Sequence, residues 1–354
     1  MKGSAWFPLA VAGWLACSGI AHAAEHALGD ISEHEVQQLS VRAQMEKMRR
    51  VILLQHAGLA LYLDNLISRL WTHVDSDRPM ARVYVVEDAV AGAHTFPDGA
   101  IYLTTGMMAH TQNEDQLAMI LSHEIIHYKR RHALAALNHS RSTAPLNPGE
   151  IRQDLAMFLH AAEQEADREG LVLMQQAGFC AQTAVSRVDA SGDGRTKGVV
   201  AFNQRLAQVK RALDQMPAGD ADRNCQNRVP EYDFYIAPAL LANARSATRQ
   251  GAWEQASESI QRYIAIRADD PQAYYLQGDI AYRSGKRSDL TISSFQKAID
   301  LDRSFIPAYR ALGFMHFKAG RLQDARSYFE TSLALAPHAD ENDYIRGYLQ
   351  LCSE

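Results

Sequence analysis

The 354-residue sequence predicts an α+β domain, mostly helical with a small β-sheet, followed by an all-α domain built from repeats. Helical periodicity dominates the first two thirds of the chain, and short β-rich segments interrupt it between residues 82 and 104. Glycines recur at a regular interval in the last third. We therefore divide the chain into a leader (1–23), an α+β domain (24–235) and a repeat domain (236–354).

The N-terminus has the pattern of a cleaved signal peptide. Lys2 provides the positive charge, residues 5–16 form an apolar run, and Ala21-His22-Ala23 matches the small-x-small pattern that precedes cleavage. The apolar run is too short to cross a membrane comfortably. We expect export, with cleavage between Ala23 and Ala24 and a soluble mature chain.

Composition and cysteine content narrow the possible functions. The formal net charge is −5, with no basic excess, so the chain is not expected to bind nucleic acid. Cys180, Cys225 and Cys352 remain after cleavage, and an oxidising compartment would allow one disulfide. A Cys180–Cys225 pair is the favoured interpretation, because both residues should flank the first domain. Three buried, reduced cysteines stay an open alternative.

The first domain is predicted to begin with helices and to continue into a small sheet. The helical pattern runs from residue 30 to about 74, and Arg82–Val86 and Ala100–Thr104 are predicted strands. The turn at Pro97-Asp98-Gly99 favours a hairpin or meander. A long helix then begins near Asn113.

That helix carries His-Glu-Ile-Ile-His at residues 123–127. Because four residues separate His123 from His127, both imidazoles lie on one helix face and could share a metal ion. Glu124 adjoins the first histidine, where its carboxylate could deprotonate a water molecule. The motif therefore predicts a zinc peptidase that binds one Zn²⁺ per chain.

The third protein ligand has to come from elsewhere in the chain. On a continuous helix, His132 would lie about 140° away from His127, so we expect it to form a structural hydrogen bond instead. In the acidic stretch at 163–167, Glu163 and Asp167 share a helix face, whereas Glu165 points in another direction. One of the two would bind the metal and the other would support the site.

The last third of the chain contains a helical repeat. Gly251, Gly285 and Gly320 are spaced by 34 and 35 residues. Around Gly320, small and aromatic residues occupy the positions of a tetratricopeptide repeat, namely Tyr309, Leu312, Gly313, Ala325, Phe329 and Pro337. The sequence predicts three repeats and a capping helix after Asp340. An unrelated helical bundle is the alternative.

Residues 83–132 resemble the HtpX/Ste-type gluzincin zinc metallopeptidases. The shared elements are Phe-Pro-x-Gly, Thr-x-Gly, Asn-Glu-Asp-x-Leu, His-Glu-x-x-His and a trailing Arg-His, with Glu-x-Glu-Ala-Asp-Arg-x-Gly following at 163–170. The resemblance implies that Glu163 is the third zinc ligand and that Asp167 orients a histidine. His94 departs from the usual residue of the family, and its predicted edge strand makes it a candidate substrate-groove residue. No histidine lies near 199–202, so no fourth protein ligand is expected.

The combination of signal peptide, peptidase domain and repeats resembles the periplasmic β-barrel assembly-enhancing protease group. This resemblance implies a periplasmic endopeptidase that hydrolyses misfolded or misassembled envelope proteins. The repeats would recruit those substrates or the outer-membrane β-barrel assembly machinery, and peripheral membrane association is compatible with this role. The competing hypothesis is a periplasmic chaperone or adaptor that acts through the repeats and has a weakly active or silent metal site.

Overall fold

The computed structural model describes residues 51–142, 148–185, 231–285, 289–338 and 342–352, with isolated positions from 32 to 42 and from 204 to 211. The predicted signal peptide, residues 1–23, lies outside the described residues. The described elements are, in chain order, α1 (Ala57–Trp71), β1 (Arg82–Val86), β2 (Ala93–Thr95), β3 (Ala100–Thr104), α2 (Thr105–His110), α3 (Glu114–Lys129), α4 (His132–Ser142), α5 (Pro148–Gln176), α6 (Ala181–Val185), α7 (Tyr232–Gln250), α8 (Trp253–Ile266), α9 (Pro271–Arg283), α10 (Asp289–Leu301), α11 (Ile306–Lys318), α12 (Leu322–Leu335) and α13 (Asn342–Leu351).

The chain forms two compact units, Met1–Ala242 and Asn243–Glu354. Helices and a three-stranded sheet make up the described part of the first unit, and the described part of the second is helical. The predicted fold class, α+β followed by an all-α repeat region, is confirmed. The predicted domain boundary at 235/236 falls inside α7 and stays a prediction.

The sheet has the strand order β1-β3-β2. β2 pairs antiparallel with β3 through the tight turn at Gly99, whose φ of 89° suits glycine. β1 pairs with β3 in parallel, from Arg82↔Ala100 to Val86↔Thr104. The predicted hairpin is therefore correct for β2 and β3, whereas a meander is wrong. β2 is left at one edge of the sheet.

The helical pattern predicted through residue 74 is wrong at residues 51–56. Leu53 forms an antiparallel bridge with Val86, and the Leu54 amide donates to the Val85 carbonyl at 2.9 Å. Helix α1 begins only at Ala57. Its N-cap is His56, whose side chain accepts a hydrogen bond from the Leu59 amide. Apolar runs of this length suit either element, and pairing with β1 decides in favour of an extended segment.

Helix α3 lies in the core of the first unit. Its residues from Asp115 to Tyr128 are all buried, and it packs against α1, α5, α6 and β2. The Asn113 side chain caps its N-terminus by accepting from the Gln116 amide at 2.9 Å. Side chains on α3 are thus held rigidly on several sides.

The second unit follows the predicted repeat pattern. Gly251, Gly285 and Gly320 lie between the consecutive helices α7 and α8, α9 and α10, and α11 and α12, with φ values from 72° to 77°. Gly313 faces the Phe329 ring so closely that a Cβ atom would lie 2.5 Å from it, so the small residue lets α11 approach α12. α13 packs on α12 in the position of the predicted capping helix.

Two further sequence expectations can be compared with the structure. Cys180 is disulfide-bonded, whereas Cys352 is a buried free thiol. Cys225, the favoured partner of Cys180, lies outside the described residues, so the predicted Cys180–Cys225 pair stays a prediction. In the part of the chain that the structure describes, no helix has the length and apolar character needed to span a membrane.

Candidate metal centre and catalytic site

The side chains of His123 and His127 on α3 converge, with their Nε2 atoms directed toward each other. Their Nε2 atoms lie 2.8 Å apart, and the side chains of His123 and His127 are 0% and 5% exposed. Spacing by one helical turn produces this geometry, since residues four apart lie above one another on a helix. The burial of α3 keeps both rings out of water.

Helix α5 brings Glu163 to these two nitrogens. Its Oε2 lies 3.4 Å from His123 Nε2, and its Oε1 lies 3.4 Å from His127 Nε2. The three side chains form a group whose ligand atoms all lie within 4.8 Å of one another. Tetrahedral zinc with bonds of 2.0–2.1 Å keeps neighbouring donor atoms about 3.3 Å apart. The two contacts of Glu163 match this separation, whereas the 2.8 Å between the histidine nitrogens is shorter. Two imidazoles and one carboxylate are a donor set of the type that binds catalytic zinc.

Asp167 lies one turn after Glu163 and contacts the other nitrogen of His123. Its Oδ1 is 2.9 Å from His123 Nδ1, and a carboxylate beside this nitrogen favours the tautomer that carries a proton on Nδ1 and leaves Nε2 for a metal. Gly170 allows α5 to come this close, because a Cβ atom there would lie 3.0 Å from the backbone nitrogen of His123.

His132 supports the second histidine in the same way. Its Nδ1 lies 2.8 Å from His127 Nδ1, and its Nε2 lies 3.3 Å from Glu165 Oε2. Burial lowers the pKa of His132, an effect that the Glu165 carboxylate opposes. A neutral His132 can accept the Nδ1 proton of His127 and donate from Nε2 to Glu165. Arg130 continues the network by pairing with both Glu165 and Glu169.

The expected structural hydrogen bond at His132 is thus present, but its geometry differs from the one predicted. Helix α3 ends at Lys129, and Arg131 has a φ of 56°, an uncommon value for a residue other than glycine. This break turns the chain back, so that His132 contacts His127 directly instead of pointing away from it on a continuous helix.

We expect the exchange His132→Gln to weaken zinc binding by roughly 10- to 100-fold, the usual effect of removing a hydrogen-bond partner of a ligating histidine. Competition with a chromophoric chelator would measure the affinity. His139→Gln is the matched control, since His139 lies on the same helix and binds Asp154 at 2.6 Å, outside this cluster. Equal affinity in the two variants would contradict a supporting role for His132.

Glu124, the candidate general base, contacts the edge strand β2. The Thr95 hydroxyl lies 2.7 Å from Glu124 Oε2 and 3.1 Å from the Glu124 backbone oxygen. Sequence reasoning selected His94 on this strand and missed Thr95. The His94 ring stacks on Tyr102, with centroids 5.7 Å apart, so alternation along the strand directs it to the face opposite Glu124. The groove role expected for the His94 side chain is therefore not supported.

The structure accordingly brings together the predicted residues His123, His127, Glu163 and Asp167, and it places Glu124 beside them on α3. Glu165 points away from the cluster toward His132 and Arg130, as the helical spacing predicts. A buried His-Glu-x-x-His helix with a glutamate supplied by a second helix defines the gluzincin class of metallopeptidase sites.

Comparisons with known proteins agree with this class. Residues 59–145 match the profile of peptidase family M48, and residues 306–339 match a tetratricopeptide repeat. The chain therefore contains a segment similar to the M48 peptidases, followed by a segment similar to a tetratricopeptide repeat.

Three similar curated proteins illustrate the relationship. The chain is 30% identical to the β-barrel assembly-enhancing protease of Yersinia pestis over 45% of its own length and 35% of the relative. It is 28% identical to the protein of that name from Escherichia coli K12, over 34% and 30%. It is 25% identical to the mitochondrial metalloendopeptidase OMA1 of Schizosaccharomyces pombe, over 43% and 50%. The matched region thus spans about a third of the length of the bacterial relatives.

Proposed function

We propose that this protein is an exported zinc-dependent endopeptidase that hydrolyses misfolded or misassembled envelope proteins in the periplasm. The observation that carries the proposal is the convergence of His123 Nε2, His127 Nε2 and the Glu163 carboxylate beside Glu124. These residues would hold one Zn²⁺ per chain. Bound zinc supplies a Lewis acid that polarises a peptide carbonyl and makes water more acidic.

The chain's own residues perform the proton transfers and hold the ligands. Glu124 accepts the proton of the attacking water and returns it to the amine that leaves. Asp167 and His132 keep the two imidazoles in the tautomer that directs Nε2 toward the metal. Because Glu124 is only 2% exposed, its charge acts in a region of low dielectric, where electrostatic effects are stronger than in water.

An extended peptide can reach this site along the outer edge of β2. Gly92 and Phe96 form backbone hydrogen bonds with Thr104 and Ala100 of the β3 segment. In an antiparallel pair, hydrogen-bonded and non-hydrogen-bonded residues alternate, so the backbone groups of Ala93 and Thr95 point away from β3. A substrate strand could add to this edge and place a peptide bond next to Glu124.

The substrate class, the partners and the location follow from the relatives and from the cysteine chemistry. The two bacterial relatives described above are named for enhancing β-barrel assembly, which favours outer-membrane proteins as substrates. The repeats would recruit these substrates or the β-barrel assembly machinery, because stacked repeats form extended protein-binding surfaces. The disulfide at Cys180 favours an oxidising compartment such as the periplasm.

Removal of the metal tests the proposal. We expect the purified mature protein to cleave β-casein, to lose this activity after treatment with a chelator, and to regain it when one equivalent of Zn²⁺ is added. Gel electrophoresis of the casein fragments would measure cleavage, and metal analysis would measure the bound zinc. Full cleavage by the metal-free protein would contradict the proposal, and the lack of cleavage in the zinc-loaded protein would favour the adaptor alternative.

A further inference from the structure

Thr95 occupies a specific position between the sheet and the catalytic helix. It pairs with Ile101 of β3, and its side chain is 9% exposed. Its neighbours His94 and Phe96 contact Tyr102 on the other face of the sheet. Because side chains alternate along β2, the Thr95 hydroxyl points toward Glu124, whereas the side chains of His94 and Phe96 point to the opposite face.

The hydroxyl contact has the geometry of a charge-assisted hydrogen bond. At 2.7 Å, the separation between Thr95 Oγ1 and Glu124 Oε2 is in the range typical of a hydroxyl that donates to a carboxylate. A threonine hydroxyl has one hydrogen, and the contact with the Glu124 backbone oxygen is longer, at 3.1 Å. The proton therefore belongs to the bond with the carboxylate.

We propose that Thr95 is a positioning residue that fixes the carboxylate of Glu124 for proton transfer. This inference rests on the proposed peptidase function. Because Thr95 binds Oε2, the orientation of the carboxylate is set and the other oxygen, Oε1, takes the proton from water. A carboxylate that could rotate would spend part of its time in orientations that do not accept this proton, so the chemical step would slow.

The position of Thr95 also connects substrate binding to the general base. Its backbone groups point to the edge of β2 that does not pair with β3, where an extended peptide would pair, while its side chain holds Glu124. One residue would thus set the distance between the peptide backbone and the base. The hydroxyl itself does not contact the paired peptide, so its loss should affect kcat and leave KM nearly unchanged.

The exchange Thr95→Val tests this role, because valine keeps the β-branched shape and removes only the hydroxyl. We expect kcat for a fluorogenic peptide to fall by about 10- to 100-fold, with KM changed by less than about twofold and zinc content unaltered. Thr95→Ser restores the hydroxyl and should recover most of the rate. Thr291→Val is the matched control, since the Thr291 hydroxyl is buried in the second unit and has no hydrogen-bond partner among the residues that the structure describes.

Two further measurements distinguish positioning from a general structural effect. In the Glu124→Gln background, Thr95→Val should cause no further loss of the residual rate, because the group that Thr95 orients is already inactive. In the zinc-free protein, the decreases in the thermal midpoint caused by Thr95→Val and Glu124→Gln should be non-additive, which reports the contact independently of activity.

A Thr95→Val variant with wild-type kcat, or a Thr95→Ser variant as slow as the valine variant, would overturn the inference. A further loss of rate in the Glu124→Gln background would do the same. Failure of the proposed function itself gives a different result, since the zinc-loaded wild type would then cleave neither peptide nor casein. In that case, additive thermal effects in the zinc-free protein would overturn the Thr95–Glu124 coupling.

Discussion

The exchange Glu124→Gln is expected to abolish cleavage of β-casein while zinc remains bound. Glutamine has nearly the same shape as glutamate, but its amide cannot accept a proton at neutral pH. General-base catalysis contributes typically 10²- to 10⁴-fold to such reactions, so a loss of at least about 100-fold in kcat/KM is expected. Peptide kinetics and metal analysis on the same preparation measure both properties.

Retained zinc is the important control for this variant. His123, His127 and Glu163 are unchanged in it, so the metal site should stay intact. A variant that loses zinc together with activity would show that Glu124 supports the metal site, and it would leave the base unidentified. Substantial cleavage by a preparation shown by zymography to be free of other proteases would contradict the assignment of Glu124 as the general base.

The metal cluster illustrates what the sequence could predict. The spacing of His123 and His127 follows from the period of a single helix, and Glu163 and Asp167 are likewise related by one turn. Local periodicity therefore predicts which side chains share a face. That α5 packs beside α3 was not visible in the periodicity of either helix, and this part of the prediction came from the family resemblance.

Thr95 and His132 show where sequence reasoning ends. The contact between Thr95 and Glu124 depends on the register of β2 with β3 and on the packing of the sheet against α3. Neither is encoded in a local pattern. The contact between His132 and His127 depends on the chain reversal at Arg131, where a non-glycine residue adopts a positive φ. Propensity rules favour glycine or asparagine at such a position, so the break was not predicted.

The sheet topology has a similar explanation. The turn at Gly99 is a local feature that predicted a hairpin or a meander, and the structure selects the hairpin between β2 and β3. The parallel pairing of β1 with β3 is a long-range contact, as is the bridge between Leu53 and Val86. Apolar side chains at residues 51–54 fit a helix or an extended segment equally well, and the pairing of Leu53 and Leu54 with β1 selects the extended segment.

The second large effect is expected for Glu163→Gln. This exchange removes the carboxylate from the three candidate ligands, and a neutral amide is a poor replacement because zinc prefers anionic oxygen or imidazole nitrogen. We expect zinc affinity to fall by more than about 100-fold, beyond the range typical of supporting residues, and cleavage to fall with it. Isothermal titration of the metal-free variant with Zn²⁺ measures the affinity.

Glu165→Gln is the matched control, since it lies two residues away on the same helix, and its carboxylate faces His132 and Arg130 instead of the cluster. This variant should retain bound zinc and most of the activity. Full zinc occupancy in Glu163→Gln would transfer the third-ligand role to another residue, with Asp167 the nearest candidate. A metal ligand is needed for zinc binding and for catalysis, whereas a general base is needed for catalysis alone. Loss of zinc in Glu163→Gln together with retention of zinc in Glu124→Gln would therefore distinguish the ligand from the base.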